Sequence, residues 1–311
     1  MMTKQAAIGV AIASLGLAFG PLGCAIEVGD EAELEELESS GFEGDPVIFM
    51  HGCTPPILFT DEQSAHDFDD MVAYFAARGY PADHLVLFQN QGAQCQSIAS
   101  FSAQLDALID ETLEATQKSQ VDIVAHSMGG IAVRYYFHQH GTAKVRDFVS
   151  LGGVQHGTLG GIFAPHALAW QDVFGGYPAY EGIHELFPPY ACQGQSYGAG
   201  GGLGAPTIDV QFAVNGCLTL LGRTVFRDET PGAVRYVSVR NTLDEIVVPA
   251  SVACLDMARQ GDCSSPVNKA VTVLAGVHPG PCATGCPAHL MMLFDANVIA
   301  RSYNFVRGLA W

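Results

Sequence analysis

From Asp45 onward, apolar residues follow two alternating rhythms. Short runs rich in β-branched and aromatic residues, Val47 to Met50, Leu85 to Phe88, Val121 to Ala125 and Val145 to Leu151, read as strands. Between them lie longer segments of helical period. Phe68 to Ala77 puts Phe68, Val72, Phe75 and Ala76 on one face and stops at Gly79. Phe101 to Leu113 carries Leu105, Leu108, Ile109 and Thr112 or Leu113 on another, and Ile131 to Phe137 continues the series. Strand and helix in alternation predict the α/β class, a mostly parallel central sheet flanked by helices.

The rhythm then fails. From Gly152 to about Gly232 the chain carries Pro165, Pro178, Pro188, Pro189 and a glycine-rich run from Gly198 to Gly204, with aromatics in between. Long irregular segments in compact domains are usually lids or binding loops, so residues 157–232 are expected to form a cap insertion over the sheet. Phe163, Trp170, Phe174, Tyr177, Tyr180 and Phe187 are its candidate pocket wall. Alternation resumes with Val234 to Val239 and Ala270 to Leu274, and one helix is expected from about Leu290 to Arg307. No internal repeat is visible.

Ahead of this pattern the first 24 residues read as an export signal, a short charged start followed by a Gly-, Ala- and Leu-rich run from Ala6 to Gly23. That run is interrupted by Pro21 and is too short for a membrane-spanning helix of about 20 apolar residues. Leu22-Gly23-Cys24 resembles a lipobox, which would make Cys24 a lipid-anchored first residue, and Gly23-Cys24-Ala25 resembles an ordinary cleavage site. Residues 25–45 form an acidic tether: nine of its residues carry half of the formal net charge of −18. With so few Lys and Arg, nucleic acid is excluded as a partner. Without Cys24 the nine cysteines become eight, Cys53, Cys95, Cys192, Cys217, Cys254, Cys263, Cys282 and Cys286, which can pair completely. Export to an oxidising compartment makes four disulfides the expectation, with a secreted or extracytoplasmic location.

The chemistry concentrates at Val121-Asp-Ile-Val-Ala-His-Ser-Met-Gly-Gly-Ile, a strand that ends in a tight turn at Ser127 and passes into a helix. Such a nucleophile elbow holds its serine on a strained turn, so the flanks must be small, and here they are Ala125 and Gly129 with Gly130 behind. A serine hydroxyl near neutral pH needs a base to take its proton. On this architecture the chain order is serine, acid, histidine. Asp244, just past the strand Tyr236 to Val239, is the expected acid, with Glu245, Asp256 and Asp262 as alternatives. His289, between the last strand and the last helix, is preferred over His278 as base. His126 reads as a packing or hydrogen-bonding residue.

The negative oxygen of a tetrahedral intermediate needs fixed donors. The backbone N–H of Met128 is one candidate, and the backbone N–H of Cys53, after His51-Gly52 on the loop following the first strand, is the other. A Cys53 to Cys95 disulfide would hold that loop. His278, Cys282, Cys286 and His289 can also be drawn as a Cys₂His₂ zinc site, a reading that export and even cysteine parity oppose.

Pro46-Val-Ile-Phe-Met-His-Gly, Val121 to Gly130, Leu151-Gly-Gly-Val-Gln-His-Gly-Thr, Thr242-Leu-Asp-Glu-Ile-Val-Val-Pro and Ala288-His289 together resemble the secreted triacylglycerol lipases of the α/β-hydrolase superfamily, both the small bacterial enzymes and the fungal lipase B group. The resemblance implies an α/β-hydrolase domain over 46–311 and ester hydrolysis by Ser127, Asp244 and His289. It implies Cys53 and Met128 as oxyanion donors, and no metal or organic cofactor. The expected function is that of a lipase or carboxylesterase acting through an acyl-enzyme on a small-molecule or lipid ester, with contact at a lipid–water interface. A short-chain esterase, a polyester depolymerase and an amidase remain alternatives within enzymes, and a surface binding protein on the same scaffold is the alternative from another class.

Overall fold

A computed structural model describes residues 44–52, 66–89, 96–156, 158, 218–220, 223–225, 228–256, 262–279 and 282–311. The chain divides into two compact units, Met1–Gly41 and Phe42–Trp311, and every described residue belongs to the second. The expected export signal and nearly all of the expected acidic tether, Cys53 and Cys95, Cys192 and Cys217, and the aromatics expected in the cap all lie outside the described residues.

Strands β1 (Val47–Met50), β2 (Leu85–Leu87), β3 (Val121–His126) and β4 (Val145–Leu151) match the apolar runs read from the sequence to within a residue. Two helices are longer than their apolar faces suggested. Helix α1 covers Asp69–Ala76, α2 covers Ile98–Thr116 and α3 covers Met128–His140. Helix α2 starts earlier because the Ser97 hydroxyl accepts from the Ser100 N–H at 3.1 Å, satisfying one of the donors left over at a helix start. Within the expected insertion, β5 (Leu218–Leu220) and β6 (Arg223–Val225) form an antiparallel pair.

Beyond the insertion, β7 (Arg235–Asn241) and β8 (Asn268–Val271) return to the main sheet. The strand expected over Ala270 to Leu274 thus lies earlier. Past it comes an unforeseen antiparallel hairpin, β9 (Gly276–His278) and β10 (Cys282–Cys286). The single closing helix of the sequence reading is two helices, α4 (Ala288–Met291) and α5 (Ala296–Val306). The break falls where Asp295 caps α5, its carboxylate accepting from the N–H groups of Asn297 and Val298, both at 3.0 Å.

The six-stranded sheet has the order β2-β1-β3-β4-β7-β8, and every neighbouring pair is parallel. Helices cover both faces, which is why β1 and β3 are buried along their whole length. Ile48 and Met50 point into a core with Phe101, Leu105 and Ile109 of α2 and Ile131 of α3, whereas Val47 and Phe49 face Met71 and Phe75 of α1 and Val298 and Tyr303 of α5. From β1 the chain winds one way to β2 and the other way through β3, β4, β7 and β8. The direction reverses between β1 and β3, and in open parallel sheets the crevice at the carboxyl ends of such a pair is where ligands bind.

The opposite, amino edge is tied by charge. Asp147 accepts from Arg146 Nε at 3.1 Å and from Arg235 Nε at 2.6 Å, and Asp122 accepts from Arg146 Nε at 3.0 Å. The same two guanidinium groups donate to the carbonyls of Val306 and Phe305 at the end of α5. Two disulfides, Cys254–Cys263 and Cys282–Cys286, lie among the described residues.

Phe148 on β4 is fully buried and meets Phe137 and Tyr236 edge-on, with centroids 5.8 and 6.0 Å away. Phe148→Ala should lower unfolding free energy by about 3–5 kcal/mol, read from the denaturant midpoint. Leu309→Ala, at a 48% exposed position, should move it by less than about 0.5 kcal/mol.

Candidate active site

Ser127 leaves β3 and opens α3 with φ 56° and ψ −128°, a left-handed backbone state that a non-glycine residue adopts only when its surroundings enforce it. Close packing leaves no room for a side chain at the glycines against this turn. A Cβ at Gly129 would fall 2.9 Å from the His51 carbonyl oxygen, and one at Gly52 would fall 2.6 Å from Ser127 Cβ and 2.9 Å from Met128 N. The loop after β1 therefore lies directly against the serine. Met128 N is the first N–H of α3, and the first four N–H groups of a helix have no carbonyl within the helix to accept them. Cys53, the other expected oxyanion donor, lies outside the described residues; its neighbour Gly52 lies against the turn.

Asp244 and His289 are hydrogen-bonded, His289 Nδ1 to Asp244 Oδ2 at 2.7 Å, with both side chains almost fully buried. The second carboxylate oxygen, Oδ1, accepts from the N–H groups of Ile246 at 2.9 Å and Val247 at 2.8 Å. Burial alone would raise this carboxyl, but His289 and the two backbone donors hold it below its ordinary value. A carboxylate can only accept, so Nδ1 of His289 carries a proton, and in the neutral ring Nε2 is the nitrogen with the lone pair. Nε2 is buried and has no hydrogen-bond partner among the described residues.

The sheet brings these elements to one edge. Ser127 N–H donates to Leu151 O at the end of β4, and the next residue, Gly152, donates to Val239 O of β7. Gly152 has φ +53°, and a Cβ there would meet His289 Cε1 at 3.1 Å and Asp244 Oδ2 at 3.4 Å. Asp244 follows β7 by three residues and His289 lies in α4, just after β10. His126, the residue before Ser127, has its ring 4.4 Å from the His289 ring.

The alternatives stand elsewhere. His278 is paired with Asp70, Nε2 to Oδ2 at 2.8 Å, and stacks on Phe294. Asp256 accepts from the Ser265 hydroxyl, and Asp262 accepts from the Ser264 N–H. Cys282 and Cys286 are bonded to each other, which removes both sulfur ligands from the drawn zinc site. Among the described residues, no group of three or more His, Cys, Asp or Glu is arranged to hold a metal ion. Glu245, weighed as a rival acid, instead accepts from two backbone N–H groups, Ala288 at 2.8 Å and His289 at 3.3 Å. No sequence signal announces that role, because its partners are main-chain atoms more than forty residues away.

A second buried ionic group involves the helix that Ser127 opens. Glu229 Oε1 lies 3.1 Å from His156 Nε2 and 3.7 Å from Arg134 of α3, and Arg134 donates to Gln155 O. Burial alone would raise the Glu229 carboxyl, but His156 and Arg134 bring it down to about 2.

A family model described as palmitoyl protein thioesterase matches residues 46–184, a span that contains Ser127 and ends before Asp244 and His289. Among solved structures, the chain is similar to lipase B of Aspergillus fumigatus, at 15% identity and a TM-score of 0.49 over 91% of this chain and 59% of that one. It is also similar to the esterase RhEst1 of Rhodococcus sp. ECU1013, at 16% identity and a TM-score of 0.47 over 86% of this chain and 92% of that one. For the phospholipase PlaB of Legionella pneumophila the identity is 14% and the TM-score 0.35, over 45% of this chain and 32% of that one. The chain thus spans about a third of the phospholipase and three fifths of lipase B. These likenesses assign no residue a role. The fold itself, a parallel six-stranded sheet with a serine turn after its third strand in chain order, is that of the α/β-hydrolases.

The depressed Glu229 carboxyl makes stability depend on acid. Stability from this group is fully present above its ordinary value of 4.5 and is lost as pH falls toward about 2. Over that window Glu229 should account for about 3 kcal/mol of acid sensitivity. In Glu229→Gln the fall in thermal midpoint between pH 5 and pH 2 should be correspondingly shallower than in wild type.

Proposed function

We propose that the chain is an exported serine hydrolase that cleaves carboxylic esters through an acyl-enzyme, with Ser127 as nucleophile, His289 as general base and Asp244 as its orienting acid. The reading is carried by the bond between Asp244 and His289 Nδ1, which leaves Nε2 unbonded among the described residues, on a ring 4.4 Å from that of His126, the residue before the strained Ser127. Ser127 attacks the ester carbonyl while His289 takes its proton, and Asp244 fixes the tautomer and stabilises the imidazolium. His289 then protonates the departing alcohol, and water repeats the sequence to release the acid. Met128 N–H, at a helix start, is the oxyanion donor within the described residues, and Cys53 N–H is proposed as the second.

Export rests on the leader-like first 24 residues and on the two disulfides, which persist in oxidising compartments. No helix among the described residues is long and apolar enough to cross a membrane. Residues 25–45 are proposed as a tether, 157–232 as the cap, and the substrate as a lipid or other small-molecule ester. A thioester is a second reading, favoured by the match to the palmitoyl protein thioesterase model. The same triad serves both, because the thiolate leaving group asks less of the general acid than an alkoxide does.

Hydrolysis of a chromogenic ester and labelling by a fluorophosphonate test the assignment. Ser127→Ala should abolish labelling, and Ser127→Ala, His289→Ala and Asp244→Asn should each lose at least about 10³-fold in kcat. His278→Ala should stay within about threefold of wild type. Near-wild-type turnover by His289→Ala defeats the choice of base, and absence of labelling in wild type favours a binding protein. An acyl-length ladder, with each acyl group presented as oxoester and as thioester, separates the substrate classes. Rates sustained past short chains are expected, and a steep fall there defeats the lipase reading.

A further inference from the structure

Two consecutive carboxylates act on His289 in different ways. Asp244 holds the ring, whereas Glu245 holds the main chain, with Oε1 on the Ala288 N–H and Oε2 on the His289 N–H. The two carbonyls of the same dipeptide are also taken. Ala288 O accepts from Asn241 Nδ2 at 3.1 Å, and His289 O accepts from His126 Nε2 at 3.1 Å. Every polar main-chain atom of Ala288 and His289 is thus bonded to a side chain from another part of the fold.

This matters because α4 is a single turn, Ala288–Met291. The first N–H groups of a helix have no partner within it, and one turn does not sustain itself. The place of the His289 Cα is set by its surroundings. We infer that Glu245 and His126 are positioning residues: together they clamp the His289 peptide from its two sides and fix where its imidazole stands relative to Ser127. The inference rests on the triad reading above.

His126 is suited to its side of the clamp. It is the last residue of β3 and directly precedes Ser127, so its bond to His289 O joins the nucleophile's neighbour to the base's own main chain across 163 residues. A carbonyl only accepts, so Nε2 of His126 is the donor. Burial, together with the His289 ring, keeps the His126 imidazole well below its ordinary value and therefore neutral, adding no positive charge beside the base. Glu245 approaches from the β7 side, where Asp244 also originates, so one loop fixes both the rotation of the ring and the root from which it rotates.

The test uses the full chain in four forms: wild type, Glu245→Ala, Glu245→Gln and His126→Phe. Each is measured for kcat and KM on a soluble chromogenic ester, for the second-order rate of fluorophosphonate labelling, and for thermal midpoint. Misplacing a reacting group by about 1 Å costs on the order of 10²-fold, so Glu245→Ala should lose roughly 10- to 100-fold in kcat and in labelling rate, with KM within about twofold. Glu245→Gln keeps one acceptor oxygen and should recover to within about tenfold of wild type. His126→Phe keeps a ring but not the donor, and should lose kcat while KM holds.

A Glu245→Ala kcat within about twofold of wild type, a loss confined to KM, or a Gln variant no better than Ala would overturn the inference. Should Glu245→Ala fail to fold, His126→Phe with wild-type kcat and labelling rate overturns it equally. If wild type does not label at Ser127, the triad reading fails and this inference falls with it. If wild type labels and Glu245→Ala labels at the same rate, the positioning role alone fails.

Discussion

The structure turns on one buried carboxylate that is fully occupied. An ionised Asp244 in this position would be costly without partners, and its two oxygens are divided between an imidazole and a pair of backbone N–H groups. The backbone donors come from the residues immediately following, so the loop after β7 curls around its own acid. The imidazole comes from 45 residues further on. Because the carboxylate needs all three donors, the loop geometry and the His289 tautomer are the same constraint seen from two sides. A change at either Ile246 or Val247 that moved a backbone N–H would be felt at His289 Nδ1.

The sheet separates its polar work by edge. At the amino edge, Asp122 and Asp147 are buried against Arg146 and Arg235, and these guanidinium groups reach the last carbonyls of α5. That edge anchors the end of the chain. At the carboxyl edge of β3, β4 and β7 lie Ser127, Gly152 and Asp244, where the backbone bends sharply and side-chain volume is excluded. Between the edges the central strands β1 and β3 are buried along their whole length, with apolar clusters packed on both faces, which gives the rigid span that keeps the two ends in register. The reversal between β1 and β3 sets where along the carboxyl edge ligands bind, since there the two connections leave in opposite directions.

The fold was legible where hydrophobic period and chain chemistry agreed. Val121 to Ala125 followed by His-Ser-Met-Gly-Gly announces a strand, a turn and a helix at once, and β3 and α3 meet at Ser127. Legibility failed where local signals were weak or overruled. The expected helix over Leu290 to Arg307 is split at Asp295, and the Asp-Ala-Asn-Val cap that splits it was present in the letters but masked by continuous apolar residues on either side. The β9–β10 hairpin carries few apolar residues, and a disulfide joins the two ends of β10, so period alone did not mark it. For the site, residue type and chain order single out Ser127, Asp244 and His289 as a group. They could not distinguish the two adjacent acids, because Glu245 acts on main-chain atoms, which leave no trace in a sequence.

None of the three proposed catalytic residues sits inside a long regular element. Ser127 is on a turn, Asp244 on a loop and His289 on a four-residue helix. None has the continuous ladder of backbone hydrogen bonds of a long helix or strand around it, and Ser127 carries backbone strain of about 1–3 kcal/mol besides. Their placement therefore depends on residues outside the three. Gly52 leaves room for the serine and Gly152 for the ring of His289, and His126 and Glu245 hold the His289 peptide. Such a site is built by adjacency: the residues that set its geometry flank the reacting groups in sequence or in space without joining the chemistry.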